Sequence, residues 1–294
     1  MSDSFIRRRM FGGKFPEFIL TYGSTSYTQT TSDVCTFTTD EETGNWELKI
    51  LKSGTGTLVF DNKRFKTEIC LVGGGGGGAG NVARNTSGSP AGDGGDVVRQ
   101  NVKIKRKKEY SVTVGAGGTG GGRTYKASDG TTQTAGSSGR NGGATKFIYT
   151  ADGVSYTANG GAAGSVTGGG GSEGGSSAGK AGANGELAFK GMTDTDTLDG
   201  KGVLYGAQGG TGGGQRSSGG AGGKTGGGDG GAGVDGYEQL NLVGGDASSA
   251  TVKNTGAGGG GGGAGYYVDN WESVASGKGG NGGSGIIIIR NARG

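Results

Sequence analysis

Residues 45–50, NWELKI, place Trp46, Leu48 and Ile50 on one face and Glu47 and Lys49 on the other. A period of two marks a half-buried strand. FKTEICLV, residues 65–72, alternates in the same way and ends almost wholly apolar, as a strand crossing a core does. It runs directly into six consecutive glycines at 73–78. DVVRQNVKI (96–104) and EYSVTV (109–114) read as a hairpin that ends in GAGGTGGG, and ATKFIYT (144–150) with VSYTAN (154–159) as another around the turn ADG. GIIIIRN, residues 285–291, reads as a closing strand. No window supports an amphipathic helix, because a glycine costs about 1 kcal/mol per helical position relative to alanine and interrupts almost all of them. The pattern therefore predicts strands within 45–72, 96–114, 144–159 and 285–291, framing glycine segments at 73–95, 115–143 and 160–284. Residues 1–44 stand apart from this pattern.

Composition turns attention to those segments. The chain of 294 residues holds 78 glycines and 2 prolines, Pro16 and Pro90. Only six of the glycines precede residue 73. Collagen needs abundant proline and is excluded. Two readings are left, flexible linkers or extended helices of three residues per turn packed side by side. In the second, the main-chain N–H and C=O groups point outward, and glycine rods bond one another laterally because no side chain keeps them apart. A nine-residue run would be about 28 Å long. Alanine, serine and threonine belong at the rim of such a bundle, and proline is scarce because it removes a lateral donor. Strands that feed glycine runs again and again favour rods, so the expected fold is all-β. It combines paired strands with a bundle of packed polyglycine-II helices and has essentially no α-helix.

Charge adds little. The net charge is +4; residues 1–72 balance, and the excess gathers in KIKRKK at 103–108. That cluster falls at the bend of a hairpin and lacks the interleaved aromatics of a single-strand binder, so no nucleic-acid partner is expected. The start, MSDSFIRRRMFGGKFPEFIL, lacks the apolar core of a secretory signal, and IIII at 286–289 is too short to span a bilayer. The expectation is a chain made soluble in the cytoplasm, without membrane insertion. Cys35 and Cys70 both lie in strand-like text and read as free, buried thiols.

Reaction chemistry is sparse. The chain has no histidine, which removes Ser-His-Asp and Cys-His mechanisms and the common zinc sites. GAGGTG (115–120) is not followed by helical text, and GGAGGKT (219–225) lacks the first glycine of a phosphate loop. GGSEG (170–174) has no base, and GGAGVDGYE (230–238) is a single copy of a repeat that binds calcium only in tandem. DTDTLDG (194–200) lacks the spacing of an EF-hand. No enzyme activity, catalytic residue, cofactor or metal is expected. The one candidate is GGGGGGAGYYVDNW, residues 258–271, where Tyr266, Tyr267, Asp269, Asn270 and Trp271 offer flat rings beside planar hydrogen-bonding groups. Those residues either bind a receptor or cap the rods, and the two roles differ in whether Trp271 is exposed or buried.

CLVGGGGGGAG (70–80), YSVTVGAGGTGG (110–121) and GGSGIIIIRN (282–291) make residues 45–294 resemble the glycine-rich domain of bacteriophage tail and tail-fibre proteins. The arrangement is also similar to the glycine-rich region of the anaplastic lymphoma kinase ectodomain, which implies that the strands form a jelly-roll-like β-sandwich; residues 1–44 resemble the basic leaders of phage tail proteins, which implies an attachment segment. The resemblance implies a virion protein of the tail that acts as a receptor-binding adhesin. Its implied partners are other phage tail proteins and a bacterial surface glycan or protein, with homo-oligomerisation left open. The alternative is a purely structural tail or baseplate component. The resemblance carries no site residues, so Tyr266 to Trp271 rest on their chemistry alone.

Overall fold

A computed structural model describes residues 15–29, 31–61, 65–81, 88–123, 125–126, 133–134, 136–166, 179–189, 203–214, 217–232, 244–264 and 276–291. The strands in chain order are β1 (Phe18–Tyr22), β2 (Thr25–Tyr27), β3 (Cys35–Thr39), β4 (Trp46–Ile50), β5 (Gly54–Phe60), β6 (Phe65–Val72), β7 (Val97–Ile104) and β8 (Glu109–Val114). After them come β9 (Tyr125–Lys126), β10 (Gln133–Thr134), β11 (Thr145–Tyr149), β12 (Val154–Ala158), β13 (Glu186–Leu187), β14 (Leu204–Tyr205) and β15 (Ile286–Asn291). One turn of 3-10 helix, Thr150–Asp152, joins β11 to β12.

Two antiparallel sheets form a sandwich. One has the order β12-β11-β8-β5-β1-β2 and the other β3-β4-β15-β6-β7. Period-two alternation turns one row of each sheet inward, so Leu20, Leu58, Phe60, Tyr110, Val112 and Phe147 meet Leu48, Ile50, Ile69, Leu71, Ile287 and Ile289 in one core. The opposite row of the five-stranded sheet builds a second, smaller core. There Cys70, Val72, Ile286 and Ile288 lie under Ala188, Phe189 and Tyr205, next to the short β13–β14 pair. β13 and β14 thus interrupt the stretch 160–284, which the sequence reading treats as continuous rod.

Residues 15–29 and 31–44, the described part of the stretch set apart as a leader, contribute to the sandwich. β1, β2 and β3 belong to the two sheets, and Phe18, Leu20, Tyr22, Val34 and Cys35 are core residues. The alternation of FILTY is masked by Ile19, which faces outward and is 41% exposed.

The glycine segments are extended rods bonded side by side. In the rod 73–81, the amides of Gly73, Gly76 and Ala79 donate to Asp96, Asp93 and Pro90; those of Gly74, Gly77 and Gly80 to Gly143, Arg140 and Ser137; and those of Gly75, Gly78 and Asn81 to Gly283, Gly280 and Gly277. Every third residue addresses the same neighbour, which is the signature of three residues per turn. The carbonyls of the same rod accept from three further rods, through Gly161 and Gly164, Gly118 and Gly121, and Gly259 and Gly262. Six rods therefore enclose one. The rod 256–264 is enclosed in the same way, donating to 207–213, 76–79 and 245–248 and accepting from 89–95, 228–231 and 277–283.

This coordination explains the two uninterrupted runs, 73–78 and 258–263. All residues of both rods are buried. A Cβ added at Gly75, Gly76 or Gly78 meets the carbonyl of Ala257, Ala162 or Gly260. Side chains in these rods occur near their ends, at Ala79, Asn81, Ala257 and Ala264, all fully buried. Outer rods lack a neighbour on one side, so one residue in three faces water. Pro90 and Asp93 do so in one rod, Ala116 and Thr119 in another, and Lys278 and Asn281 in a third.

Candidate functional site

Register fixes which way the rods point. Phe18 pairs with Phe60, Val59 with Glu109, and Asn291 with Thr67, so the chain joins and leaves the described fold at one end of the sandwich. Rods continue β6, β8 and β12 from the opposite end, and the rods that follow these strands run parallel, as the bonds from Gly118 and Gly161 to Gly75 and Gly74 require. The outer tips of the rods, at Asn81, Gly122, Ala264 and Ser276, therefore lie away from the sandwich. At the seam between strands and rods, the buried hydroxyl of Thr145 donates to the carbonyl of Val72 at 2.6 Å and accepts from the amide of Gly115 at 3.0 Å. It ties the six-stranded sheet to the last residue of β6, where the rod 73–81 begins.

Short polar side chains close the perimeter of the bundle. Where an outer rod has an amide with no rod behind it, a neighbouring residue supplies the acceptor. Asn281 Oδ1 takes the amide of Gly120 at 2.7 Å, Asn141 Oδ1 that of Ala163 at 2.8 Å, and Ser138 Oγ that of Val166 at 2.9 Å. Thr211 Oγ1 takes that of Lys180 at 2.7 Å, and Asp229 Oδ1 that of Gly222 at 2.7 Å. Pro90 stands at a water-facing position, where a missing N–H costs no bond to a neighbouring rod, while its carbonyl still accepts from Ala79. The sequence reading missed this girdle. Its signal is the three-residue phase of SGKGGNGGSG at 276–285, which sets Lys278, Asn281 and Ser284 one turn apart.

The tip itself carries charge. Arg123 pairs with Asp246 at 2.7 Å, whose other oxygen accepts from the amide of Lys278 at 2.8 Å. Ser276 Oγ donates to the carbonyl of Asn81 at 2.5 Å, drawing together the tips of two rods. Tyr266, Tyr267, Asp269, Asn270 and Trp271 lie outside the described residues. The rods that flank them in sequence are anchored, Ala264 to the carbonyl of Gly213 and Gly277 to that of Gly263.

A second polar region lies on the outer face of the five-stranded sheet, where a cleft of about 300 Å³ is lined by Glu68, Ile69, Arg99, Gln100, Asn101 and Phe189. Its charges are already engaged. Arg290, 4% exposed, sits between Glu47 and Glu68 in register, bonds Glu68 at 2.6 Å, and stacks its guanidinium on the Phe189 ring at 3.8 Å. Arg99 bonds Glu186 at 3.0 Å and the carbonyls of Leu187 and Ala188.

The basic cluster 103–108 covers the end of β7 and the β7–β8 turn, as its hairpin reading expects. Lys105 pairs with Asp152 at 2.5 Å, and that hydrogen bond raises its pKa. Both thiols are free, and burial pushes Cys35 up and Cys70 up to about 12, which holds them protonated and poorly nucleophilic. GAGGTG at 115–120 is rod, with Gly118 bonded to Gly75, and among the described residues after it no α-helix opens. Among the described residues, no group of three metal-ligating side chains comes together, and no helix is long and apolar enough to cross a membrane.

A family model described as a glycine-rich domain matches residues 52–292. The chain belongs to that family. No curated protein matches it.

Proposed function

We propose that this member of the glycine-rich domain family is a bacteriophage tail protein that attaches the particle to its host. The sandwich would serve as the mount and the rod tips as the surface presented to a bacterial glycan or protein. Binding would be non-covalent, and the reading draws on the likeness of the sequence to tail-fibre proteins.

The observation that carries it is mechanical. Two rods, each bonded to six neighbours, make a bundle whose tips stand away from both points where the chain joins the sandwich. Such a bundle holds the ends of 73–81, 256–264 and 276–285 in fixed relation, which a loop needs if it is to bind without a large ordering cost. Residues 265–275, with Tyr266, Tyr267, Asp269, Asn270 and Trp271, join two of those ends in sequence.

The test is adsorption. Purified protein is expected to bind host cells and to compete with phage adsorption, and alanine at Tyr267 and Trp271 together to weaken binding at least about tenfold without moving the melting midpoint. Folded protein that neither binds nor competes removes the adhesin reading and leaves a stiffening component of the tail.

A further inference from the structure

The two edges of the five-stranded sheet carry opposite charge. Between Asp96 and Glu109, along edge strand β7 and its turn, the chain has six bases, Arg99, Lys103, Lys105, Arg106, Lys107 and Lys108, and no acid; Arg99, Lys105 and Lys107 pair with Glu186, Asp152 and Asp61 from neighbouring segments, so the excess of this side is carried by Lys103, Arg106 and Lys108. Residues 15–45 supply β1, β2, the other edge strand β3 and the β3–β4 turn; they hold five acids, Glu17, Asp33, Asp40, Glu41 and Glu42, and no base. Four strand spacings separate the edges, roughly 19 Å. Cys35 pairs with Ile50 and Thr39 with Trp46, which places the turn carrying Asp40, Glu41 and Glu42 at the same end of the sandwich as the β7–β8 turn.

The basic side keeps its charge at a cost. Lys66 and Lys103 stand directly opposite each other across β6 and β7, an arrangement that destabilises a strand pair. Lysines on an edge strand ordinarily guard against edge-to-edge pairing. That protection works when both edges bear the same sign, so that copies repel. Here the signs are opposite, and the guard of one copy matches the guard of the next.

We propose that copies of this chain associate head to tail, the basic β7–β8 side of one against the acidic β1–β3 side of the next. Because the two surfaces lie on opposite sides of one rigid sandwich, one contact leaves both complementary faces open. The assembly grows to a ring if the rotation closes and to a filament if it does not. Lys103, Lys107 and Lys108 on one side and Glu41 and Glu42 on the other are exposed and level with one another. The inference does not rest on the adhesin reading.

The test is a charge swap read by sedimentation at low and high salt. Wild-type protein is expected to associate at low salt and to dissociate as salt shortens the screening length from about 10 Å to about 3 Å. Lys103→Glu with Lys108→Glu should weaken association at least about tenfold, and so should Glu41→Lys with Glu42→Lys. Mixing these two variants sets intact side against intact side and reversed side against reversed side, and should restore it. A wild-type chain that stays monomeric at all salts, an assembly indifferent to both reversals, or a mixture that does not recover overturns the proposal. It is also overturned if wild type is monomeric and only the Arg7→Ala, Arg8→Ala, Arg9→Ala chain associates, because the occupant of the acidic side is then the chain's own basic start.

Discussion

The amide of Gly259 donates to the carbonyl of Gly76 at 3.0 Å, joining the two enclosed rods along the middle of the bundle. A Cβ on Gly76 would run into the carbonyl of Ala162, and one on Gly259 into that of Gly280. The obstructing atoms are backbone and cannot rotate aside. Gly76→Ala and Gly259→Ala are each expected to cost more than about 3 kcal/mol, read as a lower urea midpoint or loss of the cooperative transition. Gly122→Ala, where a Cβ would find only Ser137 Oγ at 3.5 Å, should change stability by less than about 0.5 kcal/mol. Equal effects at inner and outer positions would contradict the packing.

Thr145→Val keeps the shape of the side chain and strands two buried groups, the carbonyl of Val72 and the amide of Gly115. The expected loss is about 2–4 kcal/mol in urea unfolding. Thr145→Ser, which retains the hydroxyl, should recover more than half of it.

How much of this was readable beforehand differs by level. NWELKI and FKTEICLV announce β4 and β6 because apolar and polar residues alternate along them, although the second face is covered too, with Glu47 buried and Cys70 and Val72 in the smaller core. β1 is harder to read, since Ile19 faces outward and breaks its alternation. That glycine runs pack as rods follows from their junctions with strands. Which runs lie inside is also a local property: a rod with six neighbours admits side chains only near its ends, whereas an outer rod has one position in three along its length. The girdle of Asn141, Asn281 and Asp229 is set by which rods become neighbours, and that order is a property of the assembled bundle. The charge separation was hidden for a related reason, because residues 15–45 and 97–108 become opposite edges only once β15 has joined β4 to β6.

The girdle predicts local effects. Asn281→Ala should lower global stability by about 0.5–1.5 kcal/mol and selectively speed hydrogen exchange at the amide of Gly120, whose acceptor it removes. Asn141→Ala should do the same at Ala163. Uniform loss of protection across the rods would show instead that the caps act globally.

Alkaline pH should weaken the fold. Burial raises Cys70 from its ordinary 9.0, and Tyr22 from its ordinary 10.0, in each case to about 12. Both groups stay neutral in the folded chain where the unfolded chain has already lost the proton. Their contribution is therefore complete below the ordinary thiol pKa and is lost as pH rises toward about 12. The urea midpoint should be level up to about pH 8 and fall above it, and Cys70→Ala should remove the earlier part of the fall. Cys35 packs in the inner core and Cys70 in the outer one. Neither thiol should react with a labelling reagent until the chain unfolds, and oxidation should produce no bridge between them.

β15 pairs with β4 on one side and β6 on the other, although it follows both in the chain by more than two hundred residues. While a ribosome is still making the glycine body, the five-stranded sheet exists only as two pieces with a gap of one strand between them. Ile286 to Ile289 fill that gap and complete both cores at once. Synthesis thus has a late checkpoint: a chain released short of residue 286 keeps two unfinished sheet edges, a handle by which chaperones and proteases can tell it from finished protein.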